Sequence, residues 1–249
     1  MSKLDNFLFY VGISVLLLCI ILTLLLFSPK KIQEDQNLVF IGNLTLEQTK
    51  ERTLSMIEEG DIILIKPKSI KDSYLYELSI ESGISNPVKN FFFYNFFDKL
   101  MISSMGDTYW HVGIYIGNGK ISSLRFSGIH ENELDENFFN YKYFKVLRVE
   151  TSEENKIKAI ERANEHFREQ DVYYSFKNGL ILVYLESINS KKELSIKEDE
   201  LICSSYISSL YREIDFNDEP FTHITPINLE FSDKTETKIL VNQTGFYTG

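Results

Sequence analysis

The feature that most constrains this chain is an uncharged apolar run near its N-terminus. Residues 7–27 read FLFYVGISVLLLCIILTLLLF, which is 21 residues without a charged side chain. A helix rises ~1.5 Å per residue, so this run would span ~30 Å, the thickness of the hydrocarbon core of a bilayer. It is longer than the apolar region of a signal peptide, and Phe27-Ser28-Pro29 is a poor cleavage site. The sequence therefore predicts an uncleaved, single-pass transmembrane helix.

The charges beside this helix give only a slight preference for one orientation. Lys30 and Lys31 follow the run and Lys3 precedes it, so the positive-inside rule leans toward a cytosolic domain. Asn43 and Asn242 each begin an Asn-x-Thr tripeptide, a glycosylation signal that leans the other way. Because such tripeptides often arise by chance, we expect a membrane protein whose domain lies on the cytosolic side.

Composition limits the classes of function. The formal net charge of −10 argues against a nucleic-acid binder, which needs a basic surface. The cysteines are Cys19 and Cys203, with no CxxC pair, so neither a disulfide framework nor a cysteine zinc site is expected. The segment Gly117-Asn118-Gly119 lacks the Lys-Ser/Thr of a phosphate-binding loop. We therefore expect no metal and no cofactor.

Residues 44–232 are predicted to form one α+β domain, a small antiparallel sheet with helices on one face. Runs of β-branched residues between turn signals predict strands, and apolar residues at helical spacing predict helices. The predicted strands are Asp61–Lys66, His111–Ile116, Lys120–Phe126 and Tyr143–Val149, and the predicted helices cover 44–58, 151–168 and the residues after Cys203. Residues 1–6 and 233–249 are predicted to be tails, and 28–43 a linker.

A long insertion, residues 67–109, separates the first two predicted strands. It contains the aromatic run FFFYNFF at 91–97. A buried aromatic core is the simpler interpretation of this run. Contact with the membrane or with an acyl chain is the alternative, because aromatic side chains favour such interfaces.

Cys203 is predicted to open a helix, a position that favours nucleophilic chemistry. A helix N-terminus carries partial positive charge and free N–H groups, which lower the pKa of a thiol and can stabilise an oxyanion. Of the four histidines, His111 alone opens a predicted strand, so it is the preferred base, and His223 is the alternative. Because most buried cysteines are inert, this pair alone does not establish a catalytic site.

Several short motifs, taken in order, carry a resemblance to a known group of proteins. They are Gly60-Asp61-Ile62-Ile63-Leu64, the segment 111–119 (HVGIYIGNG), Tyr173-Tyr174-Ser175-Phe176, Cys203-Ser204-Ser205 and Thr225-Pro226. This set resembles the circularly permuted NlpC/P60 papain-like superfamily, which includes YaeF/YiiX-like amidases, a group of poxvirus proteins and lecithin:retinol acyltransferase-like enzymes. In that superfamily a Gly-Asp pair opens the first strand, and the histidine precedes the cysteine. The resemblance covers about residues 58–230.

The resemblance implies a permuted papain-like fold and a role for three residues. Cys203 matches the nucleophile, His111 the general base, and Ser123 the polar residue that orients the imidazole. The superfamily usually has His, Glu or Asn at the last position. A serine hydroxyl can hydrogen-bond an imidazole but cannot offset the charge of an imidazolium. A second departure is Ser205, which stands where a glutamate is frequent.

The implied activity is acyl transfer by a membrane-anchored thiol hydrolase or acyltransferase. The Cys203 thiol would attack an amide or ester carbonyl of a lipid or peptide, and water or an amine would resolve the thioester. The expected partners are the lipid bilayer and that substrate, with no nucleic acid. The alternative, motivated by Ser123, is a catalytically inactive binding or structural membrane protein of the same fold.

Overall fold

The computed structural model describes residues 38–67, 111–125, 127–175, 177–179, 181, 197–216 and 220–249. Its strands are β1 (Val39–Gly42), β2 (Ile62–Pro67), β3 (His111–Tyr115), β4 (Lys120–Arg125), β5 (Gly128–Glu133), β6 (Lys142–Val149), β7 (Tyr173–Tyr174), β8 (Glu200–Leu201), β9 (Thr235–Asn242) and β10 (Gly245–Thr248). Its helices are α1 (Leu46–Met56), α2 (Glu136–Tyr141), α3 (Glu153–Glu169), α4 (Cys203–Leu210) and α5 (Pro226–Glu230), with a 3-10 turn at Phe221–His223.

Two predictions fall outside these residues, namely the transmembrane helix at 7–27 and the aromatic run at 91–97. Within the part of the chain that the structure describes, no helix combines the length and apolar character that a bilayer span needs.

The fold is mixed α/β, built around one large antiparallel sheet. Eight strands pair in the order β1-β10-β9-β6-β2-β3-β4-β5, and every neighbouring pair is antiparallel. A separate parallel pair joins β7 to β8, directly before α4. The α+β class and the antiparallel sheet are therefore confirmed, although the sheet is not small.

Both faces of the sheet are covered, because its central strand is apolar on both sides. Successive side chains of a strand point to opposite faces. On β2, Ile62 and Leu64 pack in one core with α3 and α4, and we call this side the α4 face. Ile63 and Ile65 pack in a second core with α2 and the end of α1, on the α2 face. The prediction that helices cover one face only was wrong.

Local signals located most of the elements correctly. All four predicted strands are present, with ends shifted by at most one residue. Helix α1 begins after Thr45, whose side chain and that of Gln48 form a capping box. Helix α3 begins after Ser152, whose side chain accepts a hydrogen bond from the backbone N–H of Asn155. On α3, Ala159 and Ala163 are fully buried, whereas Ile157 is 54% exposed.

The C-terminus is not a tail, contrary to the prediction for residues 233–249. Strands β9 and β10 form a hairpin that extends the sheet beside β6, and β1 from the predicted linker pairs with β10. The signal was present, because Thr235, Thr237, Ile239 and Val241 are β-branched residues at alternate positions. Charged residues between them break the apolar run that would have marked a buried strand.

Replacing Ile239 with alanine tests whether this hairpin belongs to the core. Ile239 is fully buried, so Ile239→Ala should lower the free energy of unfolding by about 2–5 kcal/mol. Urea unfolding of the full chain in detergent, followed by circular dichroism, measures the change. The control is Gln243→Ala in the exposed turn, with an expected effect within about 0.5 kcal/mol. Equal stability of the two variants would mean that residues 233–249 contribute nothing to the core.

Candidate functional site

Cys203 lies where the sequence predicts it, at the first residue of a helix. All eight residues of α4 are buried, and Cys203 itself is 4% exposed. The backbone N–H groups of Val112, Ser204 and Cys203 lie near the sulfur and favour its charged form. Val112 is the second residue of β3, so the sulfur lies against the backbone of the strand that His111 opens.

The N-terminus of α4 differs from those of the other described α-helices. Thr45, Asp135, Ser152 and Thr225 each cap their helix with a side-chain oxygen that accepts a backbone N–H. The N-cap of α4 is Ile202, which makes no such bond. The N–H groups of this first turn are therefore not occupied by an N-cap side chain, and two of them point at the thiol instead.

The first turn of α4 is tied to the segment that contains His223. The Ser204 hydroxyl donates to the carbonyl of Ile224 at 2.7 Å, and the Ser205 hydroxyl donates to that of Thr222 at 2.9 Å. Ser205, which stands where the motif resemblance would place a glutamate, thus has a structural contact. His223 lies between the two acceptors, and its Nδ1 is 2.9 Å from the Thr222 hydroxyl. The alternative base is therefore brought next to the turn that carries the cysteine.

His111 is half-buried at the start of β3 and leaves the strand on the opposite side from α4. It pairs with Ile65 on β2, and residues paired directly across an antiparallel ladder point to the same face. Its side chain therefore points to the α2 face, whereas that of Val112 packs in the core that contains Cys203. Since His111 is the first residue of the strand, its ring lies at the end of the sheet, where its Nε2 is buried.

The pKa values of the two groups show that both are neutral near pH 7. Burial, together with the positive charges of Arg125 and Lys142, lowers the pKa of His111 to about 3. Burial raises the pKa of the Cys203 thiol to about 11, although the three N–H donors oppose this shift. The thiol therefore keeps its proton, and the resting state is a neutral pair, not a thiolate–imidazolium ion pair.

The two serines of β4 point to opposite faces. Ser123 lies on the face of His111, because an atom at the Cβ position of Gly113 would be 3.4 Å from the Ser123 Cβ. Its role in orienting the imidazole stays a prediction. Ser122 faces α4, and its hydroxyl is 3.2 Å from that of Tyr206. The sequence motifs do not indicate this contact, although Tyr206 stands three residues after Cys203 and therefore on the same side of α4.

The Gly-Asp motif has a structural role at the other end of the sheet. The Asp61 carboxylate is buried and accepts two hydrogen bonds from the Arg148 guanidinium, at 3.1 and 3.0 Å. Arg148 also donates to the carbonyl of Met56 and so joins the end of α1 to β6. Burial raises the pKa of Asp61 more than the Arg148 hydrogen bonds lower it. This pair therefore holds the fold and does not lie at the thiol.

Comparison with known proteins does not extend the motif resemblance. No protein-family model matches the chain, and a search of curated proteins finds no match. Membership of the NlpC/P60 papain-like superfamily therefore stays a prediction, which depends on short motifs and on the geometry described above.

The pKa of His111 predicts a specific loss of stability in acid. Between pH 6.5 and about 3 the unfolded imidazole binds a proton that the folded one does not, so stability falls as the pH falls through this range. At pH 5 this effect lowers the free energy of unfolding by about 2 kcal/mol, and the loss should be absent in His111→Gln. Urea unfolding at pH 7 and pH 5 measures it. Ser123→Ala, which removes no titrating group, should keep the wild-type dependence, and an unchanged dependence in His111→Gln would contradict the assignment.

Proposed function

We propose that this chain is a membrane-anchored, papain-like thiol enzyme that transfers acyl groups from an amide or ester. The observation that carries the proposal is the position of the Cys203 thiol. It stands at an uncapped helix N-terminus, with three backbone N–H groups directed at it, one residue along β3 from His111. Donors fixed around a sulfur favour the negative charge that develops during acyl transfer.

The mechanism that fits a neutral pair is general-base catalysis. The neutral imidazole of His111 accepts the thiol proton while the sulfur attacks the carbonyl carbon, so no free thiolate has to form beforehand. N–H groups of the first turn of α4 stabilise the oxyanion. The protonated imidazole then gives its proton to the leaving amine or alcohol. Water or an amine attacks the resulting thioester and regenerates the thiol.

The membrane anchor in this proposal is the apolar run 7–27, with the domain on the cytosolic side. Only ten residues, 28–37, separate this run from the first described residues. An extended chain of that length reaches at most ~36 Å, so an anchored domain would stay close to the bilayer. A lipid or a membrane-bound peptide is therefore the substrate class that we favour.

One observation favours the alternative, an inactive protein that binds a partner or has a structural role. The thiol is almost fully buried, and its raised pKa of about 11 makes it a poor nucleophile near neutral pH. In that case Cys203 would be a core residue of α4. The two functions differ in whether the sulfur can be acylated.

Acylation by p-nitrophenyl butyrate separates them in the full-length Cys19→Ser variant in detergent, where Cys203 is the remaining thiol. We expect release of p-nitrophenol and a butyryl thioester on Cys203, measured by absorbance and by mass spectrometry. His111→Gln should slow acylation by about 10²–10⁴-fold, the usual contribution of a general base. His223→Gln is the matched control and should leave the rate unchanged.

Three results would reject the proposal. The first is an unacylated Cys203, which would support the binding protein. The second is acylation of the Cys203→Ser protein at the wild-type rate, which would move the chemistry elsewhere. The third is a rate that depends on His223 and not on His111, which would keep the thiol but replace the base.

A further inference from the structure

Three basic side chains converge on the α2 face at the end of the sheet where β3 begins. His111 and Lys142 share this face because Ile65 pairs with His111 on one side and with Phe144, two residues from Lys142, on the other. Arg125, the last residue of β4, lies two residues from Ser123 and therefore on the same face as His111. Three different strands thus supply one basic side chain each.

These side chains are electrostatically coupled. The charges of both Arg125 and Lys142 act on the His111 imidazole strongly enough to contribute to its lowered pKa. All three residues are half-buried, so water screens their charges less than it does at an exposed surface. The chain as a whole is acidic, with a net charge of −10. A cluster of three basic side chains at one half-buried place therefore departs from its average composition.

The chemistry of the three side chains fits a phosphate group. A guanidinium binds phosphate through two parallel hydrogen bonds, and an ammonium adds a compact charge beside it. The imidazole can donate a further hydrogen bond. We propose that His111, Arg125 and Lys142 bind a phosphate group, and that this group belongs to the substrate of the acyl-transfer reaction proposed above.

This site would connect substrate binding to activation of the base. A phosphate beside His111 offsets the charges of Arg125 and Lys142, which removes one of the causes that keep the imidazole a weak base. The base would then accept the thiol proton more readily when a substrate is bound. The assignment of the substrate depends on the proposed function, whereas phosphate binding itself does not.

Calorimetric titration of the full-length protein in dodecyl maltoside, a detergent without phosphate, tests the site. The probes are inorganic phosphate and dihexanoyl phosphatidic acid. We expect saturable binding that weakens about tenfold in Arg125→Gln and in Lys142→Gln, the equivalent of one charge-assisted hydrogen bond each. Lys66→Gln is the matched control, because Lys66 lies one residue beyond Ile65 on β2 and points to the other face.

A second measurement follows the site independently of affinity. The His111 imidazole, assigned in NMR spectra through His111→Gln, should show a raised pKa after phosphate binding. It should also show a raised pKa in the phosphate-free Arg125→Gln and Lys142→Gln proteins, because one positive charge is gone. Circular dichroism verifies that these variants are folded.

The outcomes separate the possible phosphate sources and the two proposals. Tighter binding of phosphatidic acid than of inorganic phosphate assigns the site to a lipid headgroup, and equal binding assigns it to a soluble phosphate compound. Absence of saturable binding of either probe, or an equal loss in Lys66→Gln, would overturn the site. Cys203→Ser should bind phosphate like the wild type. If the protein that retains Cys203 binds phosphate but is not acylated, the proposed function alone is rejected.

Discussion

The position of the thiol depends on a contact at the opposite end of helix α4. The hydroxyl of Tyr211, directly after the helix, donates to the carbonyl of Gly60. Gly60 has a φ of 91°, and an added Cβ there would lie 2.9 Å from that hydroxyl, so only glycine permits the approach. From Tyr211 back to Cys203 the helix rises ~12 Å, and the five residues of β3 cover ~13 Å between the first and the last. A helix fixed at Gly60 therefore reaches the start of β3 with Cys203.

Burial on both faces of the sheet explains why both candidate groups lie at the end of the sheet where β3 begins, His111 on the α2 face and Cys203 on the α4 face. Ile62 and Ile63 each belong to a different core, so the centre of the sheet has no space for water or substrate. A reactive pair in that centre would need two polar groups in an apolar environment, at a cost of several kcal/mol. At the start of β3 the conditions differ, because the β3–β4 pairs in the described residues are those of Ile114 and Tyr115 and do not reach His111. The first residue of β3 can therefore carry a half-buried histidine.

The sequence predicted the elements that are defined by local signals and missed those that depend on distant partners. The segment 111–119 predicts a strand and a turn by itself, and Cys203 opens its helix as expected. Strands β9 and β10 depend on pairing with β6 and β1, far away along the chain, so local patterns give them little weight. The faces of His111 and Ser123 depend on register with neighbouring strands, which no motif specifies. The same holds for Arg125 and Lys142, which are close only in the folded sheet.

The charge state of the site gives the last constraint on how such a protein could act. Proton transfer from a thiol with a pKa of about 11 to an imidazole with a pKa of about 3 is strongly unfavourable, so the described state is a resting one. Burial contributes to both pKa shifts, and a ligand that excludes water from the site cannot reverse that contribution. The positive charges beside His111 also lower its pKa, and this cause is the one that a bound ligand can offset. An anion at Arg125 and Lys142 therefore raises the basicity of the imidazole, and a substrate with such a group would activate the site that it enters.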